Sequence, residues 1–145
     1  YSIIYYWYKA GSVSKLGGSH ADASFVPYSN VEASVHLGNG VIAPVKGYRD
    51  ANIGERVYIS GATTGPSSGY VEGVANVQYP DGSIYYDQVK ATYYSAGGDS
   101  GSPVYYLDGG NRIIVGIHAS RAGQYAYFSK VSWVQSELSV TPLTR

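Results

Sequence analysis

The chain has 145 residues, with ten basic and ten acidic side chains and a formal net charge of zero at pH 7. Charged residues make up only 14% of the chain, well below the roughly 25% of ordinary soluble domains. Sparse and balanced charge argues against nucleic acid or an anionic membrane as a partner, because both attract clustered Lys and Arg. No apolar run approaches the ~20 residues of a membrane span. Cysteine is absent, which excludes disulfides and thiolate chemistry.

The composition favours β-structure over helix. The chain holds 17 Tyr and 19 Gly, and Val and Ile outnumber Leu, which is typical of twisted sheets. The same richness in Tyr, with few Lys and Glu, predicts a secreted, extracellular protein. Short strands separated by turn residues indicate an all-β sandwich or barrel. Ten strands are predicted, at Ser2–Tyr8, Ser12–Leu16, Asp22–Tyr28, Glu32–Leu37, Arg56–Ser60, Tyr70–Tyr79, Ser83–Tyr94, Pro103–Leu107, Arg112–Ala119 and Gln124–Ser129.

Turn and helix signals divide the chain further. The segments Pro80–Gly82 and Asp108–Asn111 contain the Asp, Asn and Gly residues of tight hairpin turns. Between the fourth and fifth strands, Val41–Gly54 contains a proline and two glycines and is predicted to be an irregular connection between two halves. A single helix is predicted near the C-terminal end, with Ser129 as its cap. Its apolar face is predicted to consist of Val131, Val134 and Leu138.

The most informative stretch is Gly97–Val104, which reads Gly-Gly-Asp-Ser-Gly-Ser-Pro-Val. Ser100 lies among glycines in a predicted tight turn, and a strand follows from Pro103. Glycines let the backbone adopt conformations that aim successive N–H groups at one point, as the binding of an oxyanion requires. A bare Gly-x-Ser-x-Gly is most often only a hairpin loop, whereas the eight-residue string is far more specific.

This stretch resembles the nucleophile motif of the chymotrypsin-like serine peptidases, and the layout is closest to their cysteine-poor bacterial and archaeal α-lytic-type branch. Three further segments follow in the family's order. Ser60–Gly65 resembles a glycine-rich turn early in the second barrel. Ile114–His118 resembles the strand that lines the specificity pocket, and Ser129–Leu138 resembles the C-terminal helix. The resemblance implies a double β-barrel that hydrolyses peptide bonds, and it is stronger after Arg56 than before it.

The resemblance also implies roles for individual residues. Ser100 would be the nucleophile, and the main-chain N–H groups of Gly98 and Ser100 would form the oxyanion hole. Asp22 opens a predicted buried strand and resembles the acid that orients the catalytic histidine. The alternative for Asp22 is an ordinary turn aspartate that starts a strand. Asp99 is predicted to be structural, a buried carboxylate that pairs with a cation or an N-terminus.

The general-base histidine of the family has no counterpart among the three histidines of the chain. His20 precedes Asp22 by only two residues, His36 follows Asp22, and His118 falls on the pocket strand. Without one member of the triad only residual catalysis remains, so the chain alone is expected to be close to inert. Two explanations stay open. The first strands and their histidine lie before Tyr1 or on another chain, or the lineage has lost the base and kept the fold for binding or assembly.

His118 has a second possible role. A histidine next to the nucleophile resembles the arrangement in glutamyl endopeptidases and viral 3C-type peptidases, where it binds a Glu or Gln side chain of the substrate. The alternative is a buried histidine satisfied by a tyrosine hydroxyl. Ser95 would line the same pocket, and Arg121 would narrow that pocket or bind an acidic side chain.

A metal site is not predicted. His20 and Asp22 lie two residues apart on a predicted strand and therefore on one face, but no third ligand is close in sequence. No cofactor is expected either.

The sequence therefore predicts a partial first β-barrel over residues 1–46 and a complete second barrel with a C-terminal helix over residues 47–145. The predicted function is a secreted serine endopeptidase of the chymotrypsin type whose histidine lies outside this chain. The alternative is a non-catalytic assembly protein, such as an extracellular filament subunit. Expected partners are a protein or peptide substrate and an N-terminal fragment or neighbouring subunit that supplies missing strands, which gives a homo-oligomer or filament. The apolar segment Ser2–Tyr8 favours such pairing at an open barrel edge.

Overall fold

A computed structural model describes residues 11–145, so the predicted strand Ser2–Tyr8 lies outside the described residues. The part described is built of strands with one short helix, which confirms the all-β prediction. The strands are β1 (Lys15–Leu16), β2 (Ser24–Phe25), β3 (Ser34–Gly38), β4 (Val41–Tyr48), β5 (Arg56–Gly61), β6 (Gly65–Gln78), β7 (Ile84–Ala91), β8 (Pro103–Asp108), β9 (Asn111–Ala122) and β10 (Tyr125–Lys130), and the helix is α1 (Val131–Leu138).

Six strands form a ring of antiparallel pairings in the order β10, β7, β6, β5, β8 and β9, and β9 pairs back to β10. The weakest seam is between β5 and β8, where a single register pair joins Tyr58 and Tyr105. Apolar side chains alternate along these strands and meet inside the ring. The buried core consists of Val57, Ile59, Val71, Val89, Ala91, Tyr93, Val104, Val115, Ala126 and Phe128.

Both predicted hairpin turns are present. The turn Pro80–Gly82 joins β6 to β7, and Gly82 has a φ of +89°. The turn between β8 and β9 starts at the register pair Asp108 and Asn111, and both of its glycines have positive φ. Positive φ at two consecutive central residues is the geometry of a type I′ hairpin turn, which suits the twist of the flanking strands.

The predicted irregular segment Val41–Gly54 is wrong over its first half, because residues 41–48 form β4. This strand pairs antiparallel with β3 and parallel with β9, which joins both strands to the ring. Ala43 and Val45 are buried and alternate with more exposed neighbours, so a period of two places one face of the strand in the core. Burial on that face outweighs the proline at position 44, and a register shift near Gly47 absorbs the remaining irregularity.

The helix α1 has the predicted apolar face, since Val131, Val134 and Leu138 are its buried residues. The predicted cap is wrong. Residue Lys130 occupies the cap position with no side-chain cap hydrogen bond, and Ser129 belongs to β10, where its side chain is fully buried. The first turn is satisfied instead by Asp50, whose Oδ1 accepts a hydrogen bond from the Ser132 N–H at 3.0 Å.

The strands β1 and β2 form a separate two-stranded sheet with no further strand within residues 11–145. Apolar and aromatic side chains around this sheet are open to solvent, with exposed fractions of 52% for Val13, 74% for Leu16 and 53% for Tyr28.

The predicted boundary between residues 46 and 47 falls inside β4, and the division into two barrels stays a prediction. Over residues 11–145, no helix is long and apolar enough to cross a membrane.

Candidate active site

The predicted nucleophile loop, residues 97–102, connects the segment after β7 to β8. The Asp99 N–H donates to the carbonyl of Ala96, and the Ser102 N–H donates to the carbonyl of Asp99, both at 3.1 Å, so two tight turns overlap. Gly98 has a φ of +100°, and a Cβ there would lie 2.3 Å from Thr63 Oγ1. The loop therefore needs glycine at position 98 for both backbone conformation and space.

Three main-chain N–H groups of this loop have no acceptor within residues 11–145, those of Gly97, Gly98 and Ser100. The N–H groups of Gly98 and Ser100 are the two that the sequence predicts as an oxyanion hole. The Ser100 side chain is exposed, and its hydroxyl donates to the carbonyl of Ala119 on β9 at 3.1 Å. A free pair of amides beside an accessible hydroxyl is what an acyl-transfer site requires.

The Asp99 carboxylate, 0% exposed, fastens the nucleophile loop to the turn between β5 and β6. Its oxygens accept hydrogen bonds from the N–H groups of Thr63, Thr64 and Ala96 at 2.8, 3.0 and 2.9 Å and from the Thr64 hydroxyl at 2.5 Å. Gly61 makes the close approach possible, because a Cβ there would lie 2.2 Å from Asp99 Oδ1. The predicted structural role fits these contacts, but in the described part of the chain the donors are neutral groups rather than a cation.

Burial by itself raises the pKa of Asp99, but the hydrogen bonds from Thr64, Ala96 and Thr63 outweigh it and lower that pKa to about 2. The carboxylate is therefore ionised at neutral pH.

The predicted acid, Asp22, lies between β1 and β2. Its Oδ2 accepts a hydrogen bond from the Tyr79 hydroxyl at 2.5 Å, and its N–H donates to Ser129 Oγ at 3.0 Å. Burial and the Asp22 carboxylate both raise the pKa of Tyr79, so this phenol keeps its proton and acts as donor. The second carboxylate oxygen remains for another partner. Whether Asp22 is a catalytic acid or a strand-starting aspartate stays a prediction.

Asp22 and Ser100 line one cavity of about 450 Å³, together with Leu16, Tyr85 and Ile117. None of the three histidines of the chain lines this cavity. The imidazole of His20 stacks on Trp133 with ring centroids 3.9 Å apart. His36 and His118 line two other clefts that also reach Ser100. The structure thus brings the predicted nucleophile and acid to one cavity and places no histidine between them.

The three predicted specificity residues, Ser95, His118 and Arg121, lie around one cavity of about 390 Å³ that also contacts Ser100. The Ser95 hydroxyl is buried without a hydrogen-bond partner in residues 11–145. Arg121 donates through Nη1 to the carbonyl of Tyr93 at 3.0 Å, and its guanidinium lies 4.9 Å from the Tyr94 ring centroid. The wall of this cavity is therefore polar at all three residues.

The ring of His118 is held by a buried hydrogen bond. Its Nδ1 lies 2.6 Å from the hydroxyl of Tyr93, a fully buried residue. Burial lowers the pKa of His118 and raises that of Tyr93, so both groups are favoured in their neutral forms and one hydrogen bond joins the phenol oxygen to Nδ1. The tyrosine contact of the alternative interpretation is therefore present, and it leaves Nε2 outside that hydrogen bond.

Sequence reasoning missed the residues that hold the predicted ones. Thr63 and Thr64 belong to the glycine-rich turn Ser60–Gly65, but no pattern marks them as partners of Asp99. Nothing in the local pattern marks Tyr79 or Tyr93 as partners of Asp22 and His118. No group of three or more His, Asp or Glu in residues 11–145 could hold a metal ion. His20 and Asp22, the pair considered as ligands, contact different partners: His20 Nδ1 lies 3.3 Å from Glu137 Oε2, and Asp22 accepts from the Tyr79 hydroxyl.

No protein-family model matches the chain. Three curated proteins are similar to it over two thirds of its length. Serine protease 1 of Streptomyces fradiae is 36% identical over 96 residues, which cover 66% of this chain and 26% of that protein. Serine protease 2 of the same organism is 33% identical over 68% of this chain and 63% of that protein. Glutamyl endopeptidase 2 of Streptomyces griseus is 33% identical over 66% of this chain and 48% of that protein.

Solved structures of serine proteases have the same fold as this chain. The chymotrypsin of Cellulomonas bogoriensis superposes with a TM-score of 0.75 at 25% identity, over 87% of this chain and 71% of that one. A glutamic acid-specific serine protease, described as using a histidine triad in substrate binding, superposes with a TM-score of 0.76 at 29% identity, over 88% of this chain and 70% of that one. The chain spans less than two thirds of the length of each curated relative named above.

Replacing Asp99 by Asn is expected to lower the free energy of unfolding at pH 7 by about 2 kcal/mol, because the pKa difference between about 2 and the ordinary 3.8 is lost. This stabilisation is complete above pH 4 to 5 and disappears as the pH falls towards 2. The free energies of unfolding of wild type and Asp99→Asn, measured with urea at pH 2 to 7, should therefore converge as the pH falls. The exposed Asp108→Asn is the control, and a constant offset between wild type and D99N across that range contradicts the assignment.

Proposed function

We propose, from the premise that the chain belongs to the chymotrypsin-like serine peptidase family, that it carries the nucleophile, oxyanion hole and acid of a secreted serine endopeptidase. One observation supports this most directly. Ser100 lies on a loop in which its own N–H and that of Gly98 are unused, across a cavity from the Asp22 carboxylate. A fold retained only for packing has no need of this combination, since unpaired amides are ordinarily satisfied.

In the proposed reaction, Ser100 Oγ attacks the carbonyl carbon of the scissile peptide bond. The negative charge on the carbonyl oxygen is stabilised by the N–H groups of Gly98 and Ser100. An imidazole in the cavity takes the proton of the attacking hydroxyl and later gives it to the leaving amine, while Asp22 orients that imidazole through its free oxygen. Water then hydrolyses the acyl-enzyme. We assign the imidazole to a histidine of another segment or subunit that enters the cavity.

Free imidazole is expected to restore reactivity, because the cavity between Asp22 and Ser100 has room for it. Labelling of Ser100 by a fluorophosphonate should accelerate about ten-fold or more on addition of imidazole, since a general base contributes typically 10²–10⁴-fold. The rate is measured by mass spectrometry of the intact chain at increasing imidazole concentration.

Two variants serve as controls for the imidazole experiment. Ser100→Ala should remove labelling, and Asp22→Asn should remove most of the acceleration by imidazole while leaving the slow background rate. An acceleration that is equal with and without the Asp22 carboxylate would show that Asp22 is only a turn residue. Labelling no faster than that of a free serine under all conditions would reject the peptidase proposal.

The cleft around His118 supports a preference for Glu, Asp or Gln before the scissile bond. The imidazole of His118, the buried Ser95 hydroxyl without a hydrogen-bond partner within residues 11–145 and the cationic Arg121 line the same cavity. Hydrogen bonds to a charged acceptor are stronger than those between neutral groups. The similarity to a glutamyl endopeptidase and to a glutamic acid-specific protease supports the same preference.

Replacing His118 by Ala is expected to lower kcat/KM for a substrate with Glu before the scissile bond by about ten-fold or more, because a charge-assisted hydrogen bond is lost. The matched substrate with Leu at that position should lose much less, and it serves as the internal control. Both are assayed with imidazole present or in the complete protein. Equal losses on the two substrates would show that His118 only packs against Tyr93.

One observation bears on the alternative function, a non-catalytic assembly subunit. Apolar side chains around β1 and β2 are exposed, and a two-stranded sheet is marginally stable by itself. We propose that a strand from an N-terminal fragment or a neighbouring subunit pairs with this sheet and completes a partial first barrel at residues 1–46. Such pairing serves a peptidase and a filament equally, so it does not separate the two functions.

Sedimentation of the pure 145-residue chain tests this pairing. An assembly larger than a monomer is expected at micromolar concentration, because open strand edges with apolar side chains pair with other chains. The variants Leu16→Lys and Tyr28→Lys should reduce the assembly by placing charge on the exposed face. Lysine in place of Ile53, which is exposed outside that sheet, is the control. A folded monomer of the unmodified chain would contradict the proposal.

A further inference from the structure

The loop of residues 17–22, which ends at Asp22, is bound to the C-terminal helix by one carboxylate. Glu137 of α1 accepts hydrogen bonds from four consecutive main-chain N–H groups. The distances are 3.0 Å from Gly18, 3.2 Å from Ser19, 2.9 Å from His20 and 3.1 Å from Ala21. Four converging amides around one anion leave the loop little freedom to move relative to the helix.

The charge of Glu137 is stabilised by these contacts. Burial raises the pKa of Glu137, but hydrogen bonds from the amides of Gly18, His20, Ser19 and Ala21 outweigh it and lower that pKa to about 2. Glu137 is therefore a full anion at neutral pH, and its bonds to the loop are of the strong, charge-assisted kind.

A second set of contacts meets the same loop from the ring of strands. Gln88 donates through Nε2 to the carbonyl of His20 at 2.7 Å, and Ser129 donates through Oγ to Gln88 Oε1 at 2.8 Å. Gln88 and Ser129 are 1% and 0% exposed. With its proton used in that bond, Ser129 Oγ accepts from the Asp22 N–H at 3.0 Å. The chain leading into Asp22 is thus held from two sides.

From these contacts we infer that Glu137 is a positioning residue for Asp22. Ala21, the last residue whose amide Glu137 binds, is bonded directly to Asp22, so the position of the loop sets where the Asp22 carboxylate points. The inference rests on the proposed function, because it concerns the acid of the proposed triad. A displacement of about 1 Å at such a group costs about 10²-fold in rate, and a helix remote from the nucleophile controls that displacement.

The variant Glu137→Gln tests this inference, because it keeps the shape of the side chain and places an NH₂ donor against the loop amides. The first measurement is independent of activity and reads the contact between Asp22 and Tyr79 from the ¹³Cζ resonance of Tyr79 in tyrosine-labelled protein. In Glu137→Gln this resonance should move towards its position in Asp22→Ala. The control is Glu72→Gln, a change at an exposed glutamate of β6, in which the resonance should keep its wild-type position.

The second measurement is the imidazole-assisted labelling of Ser100 by a fluorophosphonate. We expect Glu137→Gln to lower that rate by about 10- to 100-fold, and to have little effect when Asp22 is already replaced by Ala. Such non-additivity is the sign that two residues act through one another. An equal loss in both backgrounds would show that Glu137 has only a general structural role and would overturn the inference.

The two measurements separate the possible failures. If wild-type protein is not labelled at all, the proposed function fails, while the Tyr79 resonance still decides the inference. An unchanged Tyr79 resonance in Glu137→Gln, with the amides of residues 18–21 exchanging faster than in wild type, overturns the inference by itself. If Glu137→Gln does not fold, Glu137→Asp, which keeps the charge on a shorter side chain, is measured in the same two ways. A smaller shift in the same direction supports the inference, and wild-type behaviour in both overturns it.

Discussion

The buried carboxylate of Asp99 is the contact on which the geometry around Ser100 depends, because it ties two turns that are far apart in sequence. The turn at Thr63 and Thr64 supplies two amides and a hydroxyl, and the nucleophile loop supplies the amide of Ala96. With those donors engaged, the loop is held in a conformation in which Gly98 takes a positive φ and its N–H is left unpaired. Burying a carboxylate away from water costs free energy unless hydrogen bonds replace the lost hydration, and four donors do so for Asp99.

The same principle recurs at the other half of the proposed site. Glu137 binds four amides of the loop before Asp22, so both the proposed nucleophile and the proposed acid are held by a carboxylate that main-chain N–H groups surround. Both carboxylates have a pKa of about 2. Both carboxylates therefore keep their negative charge over the pH range in which a histidine titrates.

The parts of the proposed site are each anchored on the ring of six strands or on α1. These elements hold the nucleophile loop, the proposed specificity cleft and, through Glu137 and Ser129, the loop of residues 17–22. What the described residues do not place in the cavity is an imidazole. Because each remaining part is anchored on the ring or the helix, the cavity is shaped by rigid elements. A histidine supplied by a second segment would enter a preformed site rather than one that it must organise.

Local sequence patterns were sufficient for the parts of this protein that depend on neighbours in sequence. The hairpin turns at Pro80–Gly82 and Asp108–Asn111, the apolar face of α1 and the glycine-flanked Ser100 were all predicted, because each is set by the backbone preferences of a few adjacent residues. The strand Val41–Tyr48 was missed since its proline and glycine outweighed a burial pattern that exists only when β3 and β9 lie on either side.

Only the tertiary structure decided which side chains hold the site. Ser129 was predicted to cap a helix, yet it lies in the interior and accepts from the Asp22 amide. Asp99 bonds to residues 35 and 36 positions away, and Glu137 to amides more than 100 positions away. Whether a carboxylate meets a cation, an N-terminus or a row of amides depends on which loops the ring of strands brings together. That arrangement is a property of the whole packed chain, and no local pattern of residues contains it.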